Sequence, residues 1–530
     1  MDSISSSREK PIDRISSLPD PLLVHILSFL DMCEAVQTGI LSSRWRGLWS
    51  SVPSLHFNQY QFNGYKEFNP TTDEYPHQRY DKFAFQDDID FDNYYDEEDD
   101  DEEEEDEYDD AGYYGYNFHD TDDFIKFVDH SLALHVAPKV NKFSLTCSYS
   151  KKFESFIDGW ILSAVRRDVK EVKLEFPECI GGLYNLPSWL FKCECLISLS
   201  LKGCPVGVPQ SVCLSSLLSL SISLTRMSVG SIPQLLTGCP LLEELVLNEC
   251  QFSSGTLRIL SLSSTSELRL KRLTIAWCTN QFDLQICFQI RAPYLEMLKI
   301  SGIHPFDNSM KNLLNLREAH LDFSGGGWTP SVESCLKDLH HVRVIGLSRQ
   351  CIKILSELGE RYQPPYSSKT KCLILESELR RSELPGIANL LWRSHDLENL
   401  IIKLTTSPSA SERPEKYFDN EYWGRLEFSF PCISHRLLTV KILGFMERKC
   451  ESTYDCDVVS SFFEMQDTEM EIVRFFLTNA AALKKMTIQF CDKPDFLEGE
   501  EWSKILLMVF EKFNAIPRAS SCAELSLLYK

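Results

Sequence analysis

A short unit, apolar-x-x-apolar-x-apolar, recurs along most of this 530-residue chain, and its spacing restricts the available folds more than any other feature. It reads "VKEVKL" at 169–174, "LISLSL" at 196–201, "LLSLSI" at 217–222, "LEELVL" at 242–247, "LKRLTI" at 270–275, "LEMLKI" at 295–300 and "LREAHL" at 316–321, at steps of 27, 21, 25, 28, 25 and 21 residues. With some slippage it continues as "TKCLIL" (370–375), "LENLII" (397–402), "LLTVKI" (437–442) and "LKKMTI" (483–488). The alternation inside the unit is strand-like, and one strand cannot bury its inner face alone. Successive units must therefore stack as parallel strands over a shared core, joined by helical or irregular returns. "SIPQLLTGCP" (231–240) is such a return: Gly238 can end a turn of helix and Pro240 stops its continuation.

This is the spacing of leucine-rich repeats, whose ninth position turns inward after the strand and normally carries Asn, Cys or Thr. Cys204, Cys250, Cys278 and Cys491 occupy it here, with Thr225, Ser324 and Thr405 in other units. Several of the 19 cysteines are thereby read as small core residues. "CEC" (Cys193 and Cys195) with Cys204 lacks the second pair that a structural zinc site needs, so no metal is expected. Beyond Leu397 the steps widen to 40 and 46 residues, which marks the last part as a modified module.

The formal net charge of -23 is local in origin. Between Asp87 and Asp123 stand 21 Asp or Glu and no Lys or Arg, so the rest of the chain is close to neutral and offers no basic stripe suited to nucleic acid. The unbroken run "DEEDDDEEEEDE" (Asp96–Glu107) repels itself and lacks apolar residues, and is expected to be disordered. The opening "MDSISSSREKPIDR" has no apolar run of signal-peptide length, and Asp2 stands where myristoylation would need glycine. The uncharged stretch 203–225 carries Pro205 and Pro209 and makes a poor membrane span. The expectation is a protein of the nucleus and/or cytoplasm, with reduced thiols and with neither a membrane nor a nucleic-acid partner.

Residues 18–49, "LPDPLLVHILSFLDMCEAVQTGILSSRWRGLW", obey a different rule. Pro19 and Pro21 suit the first turn of a helix, and Leu22, Leu23, Ile26, Leu27 and Leu30 at i, i+3, i+4 spacing make a broad apolar face. A second helix is expected from Cys33 to Ser42 and a third from Arg44 to Trp49, with Leu41, Trp45, Leu48 and Trp49 as anchors. Three short helices can hide only part of this surface among themselves. Leu and Trp left exposed at this density mark a partner site.

The stretch resembles the F-box of plant proteins in its Leu-Pro opening, its "ILSFL" and its "LSSRWRGLW" close. The order of segments beyond it fits as well: "SLHF" (54–57), a helix near "FIKFVDHSLAL" (124–134), "VNKFSL", then the repeats. "EYWGRLEFSFPCISHRLLTVKILGF" (421–445) with "EIVRFFLTNAAALKKMTIQF" (471–490) is similar to the FBD module that closes many plant F-box leucine-rich-repeat proteins. The implied organisation is an F-box over 11–57, an acidic insert over 58–121, repeats over 122–420 and an FBD-like module continuing the solenoid over 421–530. The implied fold class is α/β, with a three-helix F-box, an irregular solenoid whose parallel sheet forms an arc, and the C-terminal module.

The resemblance implies a substrate-recognition subunit of an SCF-type cullin-RING ubiquitin ligase. Its F-box would bind a Skp-type adaptor, through which the cullin and RING subunit assemble, while the repeats hold an unknown protein substrate. The adaptor-facing set carried over is Leu18, Pro19, Leu22, Leu23, Ile26, Leu27, Leu41, Trp45 and Trp49, some of which hold the F-box itself together. Pro21 takes a position that is more often acidic, "DMCEA" replaces the usual polar corner, and the acidic insert has no counterpart in the family. The alternative is a repeat scaffold that binds the adaptor without a cullin, or that binds basic proteins through the acidic tract.

No sequence constellation supports catalysis or a cofactor: there is no nucleophile elbow, P-loop, HExxH or dinucleotide fingerprint. "SGGGW" (324–328) reads as a turn and "HH" (340–341) as structural histidines beside a repeat strand. Target binding is instead expected on the outward strand positions that form the concave face: Ser198, Ser200, Lys202, Ser221, Glu244, Asn248, Arg272, Thr274 and Lys299.

Overall fold

The chain divides into two units, one of residues up to Arg167 with 174–182 and the other of 168–173 with residues from Leu183 onward. The structure, a computed structural model, describes residues 15, 17–62, 118–177, 179–180, 183–209, 211–228, 230–253, 256–260, 269–280, 287–302, 304–305, 310, 313–323, 332–357, 367–380, 382–405, 430–446, 467–491 and 499–529. None of its described helices is long and apolar enough to cross a membrane.

In the first unit, α1 (Asp20–Leu27) begins behind Pro19, and α2 (Met32–Gln37) begins with a capping box. The Asp31 carboxylate accepts the Cys33 N–H at 2.8 Å, and the Glu34 carboxylate accepts the Asp31 N–H at 3.3 Å. "DMCEA" is thus a helix start built from its own residues. The second helix is shorter than expected because the Thr38 hydroxyl donates to the Ala35 carbonyl at 2.7 Å and Gly39 comes next. The expected third helix is replaced by turns and one 3₁₀ segment, Leu48–Ser51, after Gly47 reverses the chain at φ 98°.

The unit continues through β1 (Ser54–Asn58), α3 (Gln59–Phe62), α4 (Phe118–Leu134), β2 (Lys142–Thr146) and α5 (Glu154–Val165). β1 and β2 pair in parallel with Leu55 beside Phe143 and Phe57 beside Leu145, all four buried. Gln59 joins the flanks of the acidic insert: its amide donates to the Thr121 hydroxyl at 2.9 Å and accepts the Ser148 N–H at 2.9 Å. The Phe62 ring lies 5.7 Å from that of Phe124. The described flanks therefore reach into the expected insert at both ends, and residues 63–117, with the run Asp96–Glu107, lie outside the described residues. Behind them, the buried His135 donates from Nε2 to the Val52 carbonyl at 2.8 Å and accepts from Arg167 at Nδ1 at 2.7 Å. Burial pushes its pKa down, so the ring is held neutral.

The second unit carries the ladder: β3 (Ser198–Lys202), β4 (Ser219–Ser223), β5 (Glu244–Asn248), β6 (Arg272–Ala276), β7 (Met297–Ser301), β8 (Glu318–Asp322), β9 (Val344–Leu347), β10 (Cys372–Ser377), β11 (Asn399–Leu404), β12 (Thr439–Phe445), β13 (Lys485–Phe490) and β14 (Glu524–Leu528). Each pairs in parallel with the next. Register is fixed by burial. Leu199, Leu220, Leu245, Leu273, Leu298 and Ala319 form one buried row, and Leu201, Ile222, Leu247, Ile275, Ile300 and Leu321 another. A one-residue slip would turn both rows to solvent. The returns between strands include α6 (Ser231–Gly238), α7 (Val332–Asp338), α8 (Arg349–Glu357), α9 (Leu384–Arg393), α10 (Pro431–His435), α11 (Asp467–Asn479) and α12 (Gly499–Asn514).

The residue after each early strand is left-handed: Gly203 (φ 74°), Leu224 (φ 49°), Glu249 (φ 52°), Trp277 (φ 52°) and Gly302 (φ 69°). Each donates its N–H to the last carbonyl of the following strand, at 2.8–3.0 Å, so the strained turn extends the ladder by one bond. After the first four of these turns the next residue points inward, as the ninth-position pattern requires. Cys204, Cys250 and Cys278 are buried, with the Cys250 thiol 3.4 Å from the Ile222 carbonyl and the Cys278 thiol 3.5 Å from that of Ala276.

Gly302 is held to its identity twice over: its φ is left-handed, and a Cβ there would stand 2.4 Å from Cε3 of Trp277. Gly302→Ala is expected to cost about 2–3 kcal/mol of stability, combining left-handed strain with displacement of the indole. Denaturant titration monitored by Trp fluorescence measures it, and a loss below about 0.5 kcal/mol would show that the indole yields freely.

Between β9 and α9 the core holds charge. Arg349 donates from Nε to Glu383 at 2.7 Å and pairs with Glu378 at 2.7 Å, while Arg380 also pairs with Glu378. The other Glu383 oxygen accepts the Ser377 hydroxyl at 2.6 Å and the Glu378 N–H at 2.9 Å. Glu383 is fully buried, and it ties the start of α8, the end of β10 and the start of α9 together.

Candidate functional site

Helix α1 sorts its apolar residues into two rows. Leu23 and Leu27, four apart, are buried at 0% and 1% exposure, whereas Leu22 and Ile26, also four apart, are 50% and 41% exposed. Phe29, just past the helix, is 75% exposed and packs edge-on against the His25 ring at 4.9 Å. After α2 the turn presents Ile40 at 85% and Leu41 at 70%. Arg44 holds this turn against the start of α1, since its guanidinium pairs with Asp20 at 2.9 Å and also donates to the Leu18 carbonyl.

Of the residues expected to face an adaptor, Pro19, Leu22, Ile26 and Leu41 are exposed and Leu18 and Trp49 half-buried. Leu23, Leu27 and Trp45 are inside the unit, where they hold α1 to the following turns and present nothing to a partner. Phe29 and Ile40 are large, exposed and absent from the expected set. Phe29 belongs to the quoted "ILSFL", and its position beyond the last turn of α1 is what turns it outward.

Asp31, at the N-terminus of α2, has a pKa pushed up to about 6 by burial, with the nearby Glu34 adding to it and the Cys33 N–H opposing. Because the folded value lies above the unfolded one, folding takes up a proton between pH 4 and 6, and stability falls as pH rises through that window. Relative to Asp31→Asn, the native chain is expected to lose about 1–2 kcal/mol between pH 4.5 and 7.5. Parallel thermal melts of the two proteins across that range check it, and superimposable pH profiles would rule it out.

On the ladder, Ser198, Ser200, Lys202, Ser221, Glu244, Asn248 and Thr274 are half-buried on the outward rows, and Arg272 and Lys299 are exposed. Glu244 and Arg272 satisfy each other: Arg272 Nε donates to the carboxylate at 3.1 Å, and the Ser219 hydroxyl donates to its other oxygen at 2.9 Å. The Arg272 bond is the main reason the Glu244 carboxyl sits below the usual range. Asn248 donates to Glu249 at 2.9 Å. The early face is thus polar and internally paired. Farther along, Gly346 leaves room for the His320 ring, whose Nε2 lies 2.7 Å from the Glu318 carboxylate. His341 binds the Leu313 carbonyl at 2.9 Å and His340 that of Lys337 at 2.9 Å, so both act as local structural ties. Cys193 and Cys195 bring their sulfurs to 3.5 Å, with burial pushing the Cys193 thiol up to about 12.

Comparison with known proteins finds three matching family models. The F-box domain model matches residues 15–57, the model described as "FBD-associated F-box protein At5g56370, LRR repeats" matches 157–313, and the FBD model matches 456–488. Among relatives from Arabidopsis thaliana, F-box/FBD/LRR-repeat protein At1g78750 is 25% identical over 99% of this chain and 98% of its own length. F-box/LRR-repeat protein At3g59200 is 28% identical over 74% of this chain and 69% of its own. FBD-associated F-box protein At4g10400 is 30% identical over 59% of this chain and 61% of its own. The chain thus carries an F-box domain, leucine-rich repeats and an FBD in that order, and it is similar over nearly its whole length to an F-box/FBD/LRR-repeat protein of Arabidopsis thaliana.

Proposed function

We propose that the protein is a substrate-recognition subunit of an SCF-type ubiquitin ligase, acting in the nucleus or cytoplasm. One observation carries the reading: Leu22, Ile26, Phe29, Ile40 and Leu41 stand exposed on the F-box, an apolar surface that a Skp-type adaptor would cover. The cullin and RING subunit join through that adaptor, and the repeat ladder holds the protein to be ubiquitinated. The chain supplies proximity and no chemistry of its own, raising the effective concentration of a target lysine near the charged conjugating enzyme.

Affinity capture of the tagged full-length chain tests the reading. Recovery of a Skp-type adaptor together with a cullin is expected. Recovery of the adaptor alone would leave a scaffold without a ligase, and recovery of neither would refute the proposal.

A further inference from the structure

The residues that immediately precede the strands form one continuous backbone row. Lys271 donates its N–H to the Glu243 carbonyl, Glu296 to Lys271, Arg317 to Glu296, Arg343 to Arg317, Lys371 to Arg343 and Glu398 to Lys371, all at 2.8–3.1 Å. Along most of this row the charges alternate and neutralise one another. Lys271 pairs with Glu243 at 2.7 Å, and Lys371 with Glu398 at 2.6 Å. The alternation breaks in one place, at Arg317, Arg343 and Lys371, where three cations sit on adjacent strands with no acid between them.

Arg317 and Arg343 are exposed and make no side-chain hydrogen bond or ion pair among the described residues. Lys369, tied by its N–H to the His340 carbonyl at 2.7 Å, is a third exposed cation without a partner among them. None of the nearby acids pairs with Arg317 or Arg343: Glu318 engages His320, Glu398 engages Lys371, and Glu296 makes no ion pair with Arg317. Like charges on adjacent strands cost stability, and an alternating residue at 343 would have removed that cost. The arrangement leaves a short cationic bay at the start of β8, β9 and β10.

We propose that this bay binds an acidic peptide segment of the target protein, with Arg317 and Arg343 as the anchoring pair and Lys369 beside them. The proposal rests on the reading of the repeats as the target-binding part of the chain. Charge complementarity carries it. Arg317 and Arg343 stand on neighbouring strands whose backbones are about 5 Å apart, and their planar guanidinium groups suit successive carboxylates of an extended chain. The bay covers only three strands on a chain of net charge -23, which disfavours a long polyanion such as nucleic acid.

The test is fluorescence anisotropy with a labelled dodecapeptide of the sequence DEEDDDEEEEDE, titrated at low salt with the full-length chain, both alone and after incubation with a Skp-type adaptor. Since the protein as a whole repels such a probe, binding must come from a local site. Binding that weakens with added salt is expected, together with a loss of about tenfold or more in the double variant Arg317→Glu, Arg343→Glu. Glu398→Gln, which releases Lys371 from its partner, is expected to tighten binding by about two- to threefold and cannot do so by unfolding the chain.

No binding by the native chain, or equal binding by the charge-reversed variant, would overturn the proposal. Equal affinity for a single-stranded dodecanucleotide would reassign the bay to nucleic acid and overturn it too. Adaptor capture by the same proteins separates the two readings. Retained capture with no peptide binding sinks only the bay, whereas peptide binding by a chain that captures no adaptor sinks only the receptor.

Discussion

Serine at Leu22, Ile26 and Phe29 together is expected to abolish capture of the Skp-type adaptor while leaving thermal unfolding of the chain essentially unchanged. The three side chains are 50%, 41% and 75% exposed, so the folded chain gains little from them. In a complex each would bury most of that surface, and their combined loss amounts to about 3–4 kcal/mol, or roughly 10²- to 10³-fold in affinity. Leu27→Ala and Trp45→Ala behave in the opposite way. Both residues are buried, at 1% and 4% exposure. Truncating either is expected to cost about 2–5 kcal/mol of stability, so that any loss of capture results from unfolding of the F-box. Calorimetric titration with the adaptor, paired with melts of each variant, separates the two classes. Full capture by the triple serine variant would show that the adaptor docks elsewhere.

Glu383→Ala is expected to destabilise the second unit by about 3–5 kcal/mol. Removing this carboxylate would leave the Arg349 guanidinium, the Ser377 hydroxyl and the Glu378 N–H without their acceptor in a region closed to water. In a repeat array such a fault stays local at first, because each repeat rests mainly on its neighbours. Hydrogen exchange should therefore show the loss of protection centred on β9, β10 and α9 before the early strands are affected. Glu383→Gln keeps an acceptor for the Ser377 hydroxyl and the Glu378 N–H, and should recover part of the stability. A fall of less than about 1 kcal/mol for Glu383→Ala would mean that water or Glu378 takes over the Arg349 contact.

How much of this was legible in the chain differs from element to element. "LEELVL" and "LKRLTI" announced β5 and β6 because Leu and Ile at the inward positions leave no other way to bury them. "VRVIGL" (342–347), which forms β9, does not stand out between "LREAHL" and "TKCLIL". It opens on Val rather than Leu, and its outward Gly346 is explained only by the His320 ring of the adjacent strand. The last strand, "ELSLL" (524–528), is equally hard to recognise, since it lies well beyond the preceding strand, which begins at Lys485, and its inward leucines are only half-buried. In the F-box the density of apolar residues was plain, but their division between core and surface was not. An i, i+3, i+4 pattern describes one broad stripe, and only the packing of α1 against the turn at Leu48–Ser51 decides that Leu23 and Leu27 lie inside while Leu22 and Ile26 lie outside.

By itself the sequence determined the repeat unit, the inward rows, the small residues at the ninth position and the confinement of negative charge to one tract, because burial of apolar surface and charge repulsion act along the chain. The tertiary structure alone decided which residues become neighbours across repeats: His320 over Gly346, Glu383 between two helices, and Arg343 between Arg317 and Lys371. Those neighbours are set by the register of parallel strands some 25 residues apart, and register depends on how returns of unequal length bring each strand home.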